Sequence, residues 1–363
     1  MRKRRFSLIV AFLAMFAVVA AACGDDKSST STSTPSASAC PKVAEKGDPA
    51  GKKVGLLFDL AGRGDQSFND SAACGMDRAA KDFKIAPSES VQVKEGDRDE
   101  RAKTMASKNE LVAAVGFLWG TPIETAAKAN PNVKFAILDA VVAQPNVYSI
   151  TFAEEQGSYL VGVAAASQTK TKHIGFIGGV NNALIQKFAA GYVAGAKATN
   201  KDIKIDVQYI TPDGDFTGFT APDKGKIIAD KMYGDGADIV YAAAGTSGGG
   251  MFQAAKEYTD KNGASKKVWG IGVDSNQYLT VGKDLQAYVL TSMLKRVDNG
   301  VYEAIKSFTN NTFQGGKADV FDLKRGGVGY ATSGNFLTSD TIKKLDAATK
   351  DIVDGKIVVP SKP

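Results

Sequence analysis

Histidine is almost missing from this chain: its 363 residues contain one, His173, and only three cysteines, Cys23, Cys40 and Cys74. His173 precedes an apolar strand, where an ordinary strand-edge imidazole is the plain reading. There is no His-Glu-x-x-His, no paired-cysteine metal motif, no Gly-x-Ser-x-Gly elbow and no Gly-x4-Gly-Lys-Ser/Thr phosphate loop. The sequence therefore offers no catalytic residues, no metal ligands and no cofactor motif. It also lacks an apolar run of the roughly 20 residues that a membrane-crossing helix needs. The longest such run, Leu8 to Ala22, is about fifteen residues and ends at a cysteine.

That run follows Met1-Arg2-Lys3-Arg4-Arg5 directly, which is the layout of a secretory signal peptide over residues 1–22. Cys23 comes after three alanines and resembles the lipobox of bacterial lipoproteins, where the thiol is acylated after cleavage. Ala20 departs from that pattern, which usually has Leu there. From Asp25 to about Asp48 the chain is mostly Ser, Thr, Pro, Ala and Lys, too polar to offset the entropy of ordering. Residues 23–50 thus read as a flexible leash to the outer face of the cell membrane, with the lipid as its only membrane contact. In an exported chain Cys40 and Cys74 can pair, pinning the leash to the first helix; two unrelated thiols are the alternative.

Charge argues against a nucleic-acid partner. Removing residues 1–22 takes away four of the 45 basic residues, leaving 41 against 39 acidic ones, so the excess of positive charge belongs mostly to the signal peptide. The rest is too long for one ordinary core and suits two lobes.

Short β-rich runs alternate with helix-length amphipathic ones from residue 53 onward, as in β-α units stacked around parallel sheets. The first series opens with the strand Val54 to Phe58. The pattern restarts at His173 to Gly179, which repeats the opening strand and glycine turn. The expected fold class is α/β, two Rossmann-like lobes with parallel sheets joined by a multi-strand hinge. The expected division is 51–150 plus 276–311 for the first lobe and 151–275 plus 312–363 for the second, with crossovers near residues 150, 275 and 312. A cleft that opens and closes favours a monomer.

Open α/β sheets bind ligands beyond the carboxyl ends of their strands. Asp59, Asp139 and Asp274 each end a predicted strand, and Asp65-Gln66-Ser67-Phe68-Asn69 leads into the first helix. For any one aspartate a helix N-cap is the bland role. Three carboxylates aimed at one cleft need a ligand rich in N-H and O-H donors to offset their desolvation. The run Gly245-Thr246-Ser247-Gly248-Gly249-Gly250 fits either an anion or hydroxyl site or a tight turn between strand and helix.

Asp65 to Asn69, Phe152 to Gly162, Ile174 to Gly179, Phe188-x-x-Gly191-Tyr192-x-x-Gly195-Ala196-Lys197, Lys224-Gly225-Lys226 before Met232-Tyr233, Ala243 to Thr246, Ile271 to Asp274 and Thr291 to Asp298 occur in one order. As a set they resemble the basic membrane protein family, across nearly all of residues 53–330. The resemblance implies a type I periplasmic-binding fold and purine nucleoside recognition for an ABC permease. By matching position, Phe68 would stack on the base with Asn69 bonding nearby, Asp139 would accept base N-H groups, and Phe188 is a second candidate for the aromatic wall. Asp274 and Lys295 would hold ribose hydroxyls, with Gly245 and Thr246 lining the cleft through backbone contacts. Two departures stand out: Arg63-Gly64-Asp65-Gln66 brings a cation to the loop over the base, and Thr211 to Phe219 is longer and more aromatic than usual. A sugar or other polar metabolite in the same fold is the alternative ligand. A sensor for a membrane receptor and a nucleoside-cleaving enzyme are the other classes; a cytoplasmic regulator is disfavoured by the export signal and the absence of a helix-turn-helix segment.

Overall fold

The computed structural model describes residues 45–90 and 96–363. The signal peptide, Cys23 and Cys40 lie outside the described residues. Cys74 is disulfide-bonded. Chain from 45 onward already packs on the first lobe: Asp48 N-H donates to Ile85 O at 2.8 Å, so the leash has ended by this point.

Among the described residues twelve strands form two six-stranded sheets of matching strand order. The first contains β1 (Lys53–Leu57), β2 (Ala86–Ser90), β3 (Leu111–Val115), β4 (Lys134–Leu138), β5 (Val147–Phe152) and, late in the chain, β11 (Ala318–Phe321), in the order β11-β5-β4-β3-β1-β2. The second contains β6 (His173–Asn181), β7 (Lys204–Pro212), β8 (Ile239–Ala243), β9 (Trp269–Asp274), β10 (Val289–Lys295) and β12 (Val328–Tyr330), ordered β12-β10-β9-β8-β6-β7. All the pairings are parallel except β10 with β12. Central strands such as β3 and β8 are buried at every residue, which is why they read as unbroken apolar runs rather than as alternation.

Helices cover the sheets: α1 (Phe68–Phe83), α2 (Arg98–Ala106), α3 (Gly120–Ala129), α4 (Glu154–Gln168), α5 (Ala183–Thr199), α6 (Pro222–Gly234), α7 (Gly248–Asn262), the single turn α8 (Gln277–Thr280), α9 (Val297–Thr309) and α10 (Ser339–Val353). The α4–α5 contact is close because glycines remove the side chains in the way. A Cβ on Gly191 would sit 2.1 Å from Glu155 O, and one on Gly195 would sit 2.0 Å from Tyr159 O. This packing fixes α5, and with it Lys187 and Phe188, against the start of α4.

The chain passes between the sheets at Ala153, at Arg296 and between Phe321 and Val328. The first crossover falls close to the expected position near 150; the others lie well beyond 275 and 312. Within 276–311, α9 is the helix that packs with the first lobe, on α1, β3 and β4. Strand β10 instead pairs with β9 in the second sheet. Within 312–363, β11 pairs with β5 in the first sheet, while β12 returns to the second. Register decides these placements: β10 is buried throughout, and its sequence alone does not say which sheet receives it.

Candidate functional site

The carboxyl ends of β1, β3, β4, β8, β9 and β10 converge on one cleft, about 650 Å³ of empty space counted to its open mouth. Its walls include Asp59, Asp65, Phe68, Asn69, Asp139, Phe188, Gly245, Thr246, Asp274 and Lys295. Of the ligand contacts expected from sequence by matching position or strand end, Ser67 stays behind the wall. Its hydroxyl donates to Asp274 Oδ2 at 2.7 Å.

Two of the aspartates occupy unusual backbone. Asp139 has φ 70° and Asp274 φ 62°, left-handed values that Asp tolerates better than most residues and that turn the chain sharply at the strand end. Asp59 faces Gly116, where any Cβ would lie 2.1 Å from the carboxylate Oδ2. Gly116 also has φ 113°, so glycine is required there twice over.

The acids differ in what they have left to offer. Asp65 is saturated: Oδ1 accepts from Ser67 N and Asp70 N, while Oδ2 accepts from Asn69 N and Asn69 Nδ2. It ties down the N-terminus of α1 from two residues ahead of the N-cap, Ser67. Asn69 is spent likewise, donating to Leu60 O and Asp65 and accepting from Asp59 N. Asp59 Oδ1 accepts from Leu60 N and from Arg98 at 3.2 Å. Asp139 Oδ2 accepts from Lys295 Nζ at 2.7 Å, whereas Asp139 Oδ1 is buried without a hydrogen-bond partner in the protein. Thr246 Oγ1 is buried and unpartnered in the same way. Such atoms are costly unless a ligand satisfies them.

Burial pushes the Asp274 carboxyl up to about 6; Lys295 and the Ser67 hydroxyl pull it down, while the Asp65 and Asp139 charges push it up. Asp139 is raised by burial despite Lys295, with the Glu154 charge adding to the rise. Burial alone would lower Lys295, but Asp139, Glu154 and Asp274 together raise it, so the ammonium stays charged. Asp59 and Asp65 are also raised by burial.

Aromatic rings complete the walls. Lys295 Nζ lies 5.3 Å from the Phe68 ring centroid and 5.6 Å from that of Phe188. Phe188 is buried at 3 % exposure, while Phe68, Phe117 and Phe219 are half-buried and keep surface toward the cleft. Sequence reasoning missed Phe117 and Phe219 as lining residues, together with Leu60, Leu184, Ile185 and Val273. The signals were present: Phe117 follows the end of β3, and Phe219 closes the aromatic stretch from Thr211. Arg63 does not enter the cleft. It binds Asp77 at 2.8 Å and Glu89 at 2.5 Å, so its charge is already paired. His173 sits at the opposite end of its strand against Asp206 at 2.7 Å.

The lobes are clasped across the cleft mouth. Ser275 Oγ donates to Ser67 O at 2.8 Å, Gln277 Nε2 and Thr280 Oγ1 donate to Gln66 O, and Phe117 meets Phe216 edge-on at 5.7 Å. Loss of these contacts is what opening would require.

Two mirrored α/β lobes, three crossovers and a strand-end cleft define a solute-binding protein of the type I periplasmic-binding fold. A structure of an ABC transporter solute-binding protein from Aeropyrum pernix K1 superimposes with a TM-score of 0.73 and 27% identity, covering 85% of this chain and 94% of that one. The chain belongs to the Bmp family, ABC transporter substrate-binding proteins that are PnrA-like, whose model matches residues 52–363. Relatives include the ABC transporter nucleoside-binding protein BmpA of Lactococcus lactis, 38% identical over 85% of this chain and 89% of that protein. Another is the CD4+ T-cell-stimulating antigen of Listeria innocua, 35% identical over the whole of both chains. Among the described residues no helix is long and apolar enough to cross a membrane.

Proposed function

We propose that this protein captures purine nucleosides between its lobes and presents them, chemically unchanged, to an ABC permease. It works as a monomer held to the outer face of the cell membrane by a lipid on Cys23. The observation that carries the reading is the pairing, in one cleft, of half-buried aromatic rings with buried acceptors lacking donors. A purine ring would stack on Phe68, with Phe188 and Phe219 lining the same cleft, and its N-H groups suit Asp139 Oδ1. Ribose hydroxyls suit Asp274, while Lys295 and the Gly245-Thr246 turn offer donors. The relative named as nucleoside-binding supports the same ligand class.

Stacking on a ring is worth about 1–3 kcal/mol per base. A carboxylate desolvated for hydroxyl partners rejects ligands without them, because its burial is then uncompensated. Closure follows because one ligand reaches Asp139 in the first lobe and Asp274 in the second, and those contacts exist together only when the lobes meet.

The test is direct titration of guanosine, inosine and adenosine, with melting followed in parallel. Binding at micromolar strength or better, with a rise in melting temperature, is expected. No response to any of the three removes the reading. Free base released on incubation would convert the proposal into an enzyme, and an intact membrane-fraction mass lacking a lipid on Cys23 would remove the anchor.

A further inference from the structure

Glu154 lies outside the cleft wall, yet it touches Lys295, which is part of that wall, and Lys187, which stands behind it. It opens α4 immediately after the first crossover and is 1 % exposed. Its Oε1 lies 3.1 Å from Lys295 Nζ, an ion pair without hydrogen-bond alignment, and its Oε2 lies 2.5 Å from Lys187 Nζ. A carboxylate gains from a helix N-terminus at the surface as well as inside, so the dipole does not explain the burial. Burying one between two ammonium groups is expensive unless each charge is fully matched.

The matching is visible. Lys187 donates to Phe152 O at 2.7 Å and lies 3.3 Å from Glu155 Oε2, which fixes it against the crossover. Lys295 ends β10 beside the second crossover and reaches Asp139 Oδ2 at 2.7 Å in the other lobe. A buried ammonium with Asp139 as its sole anion would settle between both carboxylate oxygens. Here it is shared with Glu154 on its other side, and Asp139 Oδ1 has no partner.

Building on the nucleoside reading, we infer that Glu154 is a positioning residue for ligand binding: it holds Lys295 to one oxygen of Asp139 and so keeps Oδ1 as the acceptor presented to the ligand. Without the Glu154 charge, Asp139 is the one carboxylate left in hydrogen-bond contact with Lys295, with the Asp274 charge farther off; Lys295 then moves onto both oxygens of Asp139, and the ligand must compete with it. Because Glu154 and Lys295 flank two different crossovers, the same pair ties ligand contact to the hinge.

The experiment compares wild type, Glu154→Gln and Glu154→Asp in two readings: affinity for guanosine, inosine and adenosine, and the ¹⁵N resonance of the Lys295 side-chain ammonium in ligand-free protein. Glu154→Gln is expected to shift the Lys295 resonance and weaken binding about tenfold or more, since it unbalances a buried charge pair. Glu154→Asp retains the charge on a shorter arm and is expected to lose less, about threefold. Affinity within twofold of wild type in Glu154→Gln overturns the inference, as does an Asp variant as weak as the Gln variant, which would mark a packing role. If Glu154→Gln does not fold, Glu154→Asp carries both readings, and an unmoved resonance with unchanged affinity overturns it. If wild type binds none of the three nucleosides, the nucleoside reading fails by itself. The ligand-free resonance then decides on Glu154: a shift in Glu154→Gln sustains the Lys295 positioning, and an unshifted one overturns it.

Discussion

Ligand binding is expected to weaken steeply below pH 6, through Asp274. The side chain is buried, and burial raises its carboxyl to about 6 in the closed molecule. Hydroxyl donors bind the ionised form, so a ligand must expel a proton wherever the free protein holds one. At pH 5 a group with pKa about 6 is about nine-tenths protonated, which makes binding about tenfold weaker than at pH 7. Stability of the ligand-free closed form runs the other way. Its Asp274 holds a proton that the unfolded chain, at 3.8, releases, so stability falls as pH rises from about 4 to about 6, by at most about 3 kcal/mol. Calorimetric titration between pH 5 and 7.5, in buffers of different ionisation enthalpy, measures both affinity and protons released. The expected result is close to one proton released at pH 5, almost none at 7.5, and a flat profile for Asp274→Asn together with weak binding. Affinity constant within twofold across the range, or tighter at pH 5, would refute the reasoning.

Phe68→Ala is expected to lose about 1–3 kcal/mol of nucleoside affinity, roughly 5- to 150-fold, with some fall in melting temperature because the half-buried ring also packs against the core; a ligand held by hydroxyl contacts alone would lose much less affinity. Asp65→Ala strips four hydrogen bonds from the start of α1 and is expected to cost about 2 kcal/mol of stability, read as a lowered thermal midpoint by circular dichroism. Arg63→Ala removes a cation already paired with Asp77 and Glu89, so nucleoside affinity should stay within about twofold; a larger change would place Arg63 in the cleft.

How far the sequence could be read depended on whether a signal was local. Strands buried on both faces are written as short apolar runs, so β1 and β6 stood out with their boundaries nearly right, and the restart at His173 disclosed the second lobe. Asp59, Asp139 and Asp274 were legible because a carboxylate just past such a run has few roles. What those acids do was not legible. Asp65 and Asp139 look alike in sequence, yet Asp65 is consumed by four hydrogen bonds while Asp139 keeps one oxygen free. The distinction depends on which neighbours donate, and for Asp139 the donor is Lys295, from a strand of the other sheet. The same distance hides Glu154, which in sequence is an ordinary acid in the first turn of a helix. It hides the path of β10 as well, an apolar run that either sheet would accept until its pairing with β9 fixes it. Those later crossovers also carry the binding logic. Lys295 reaches Asp139 only because β10 ends at the hinge, so a shift in that strand's register would open the cleft and dismantle the acceptor together.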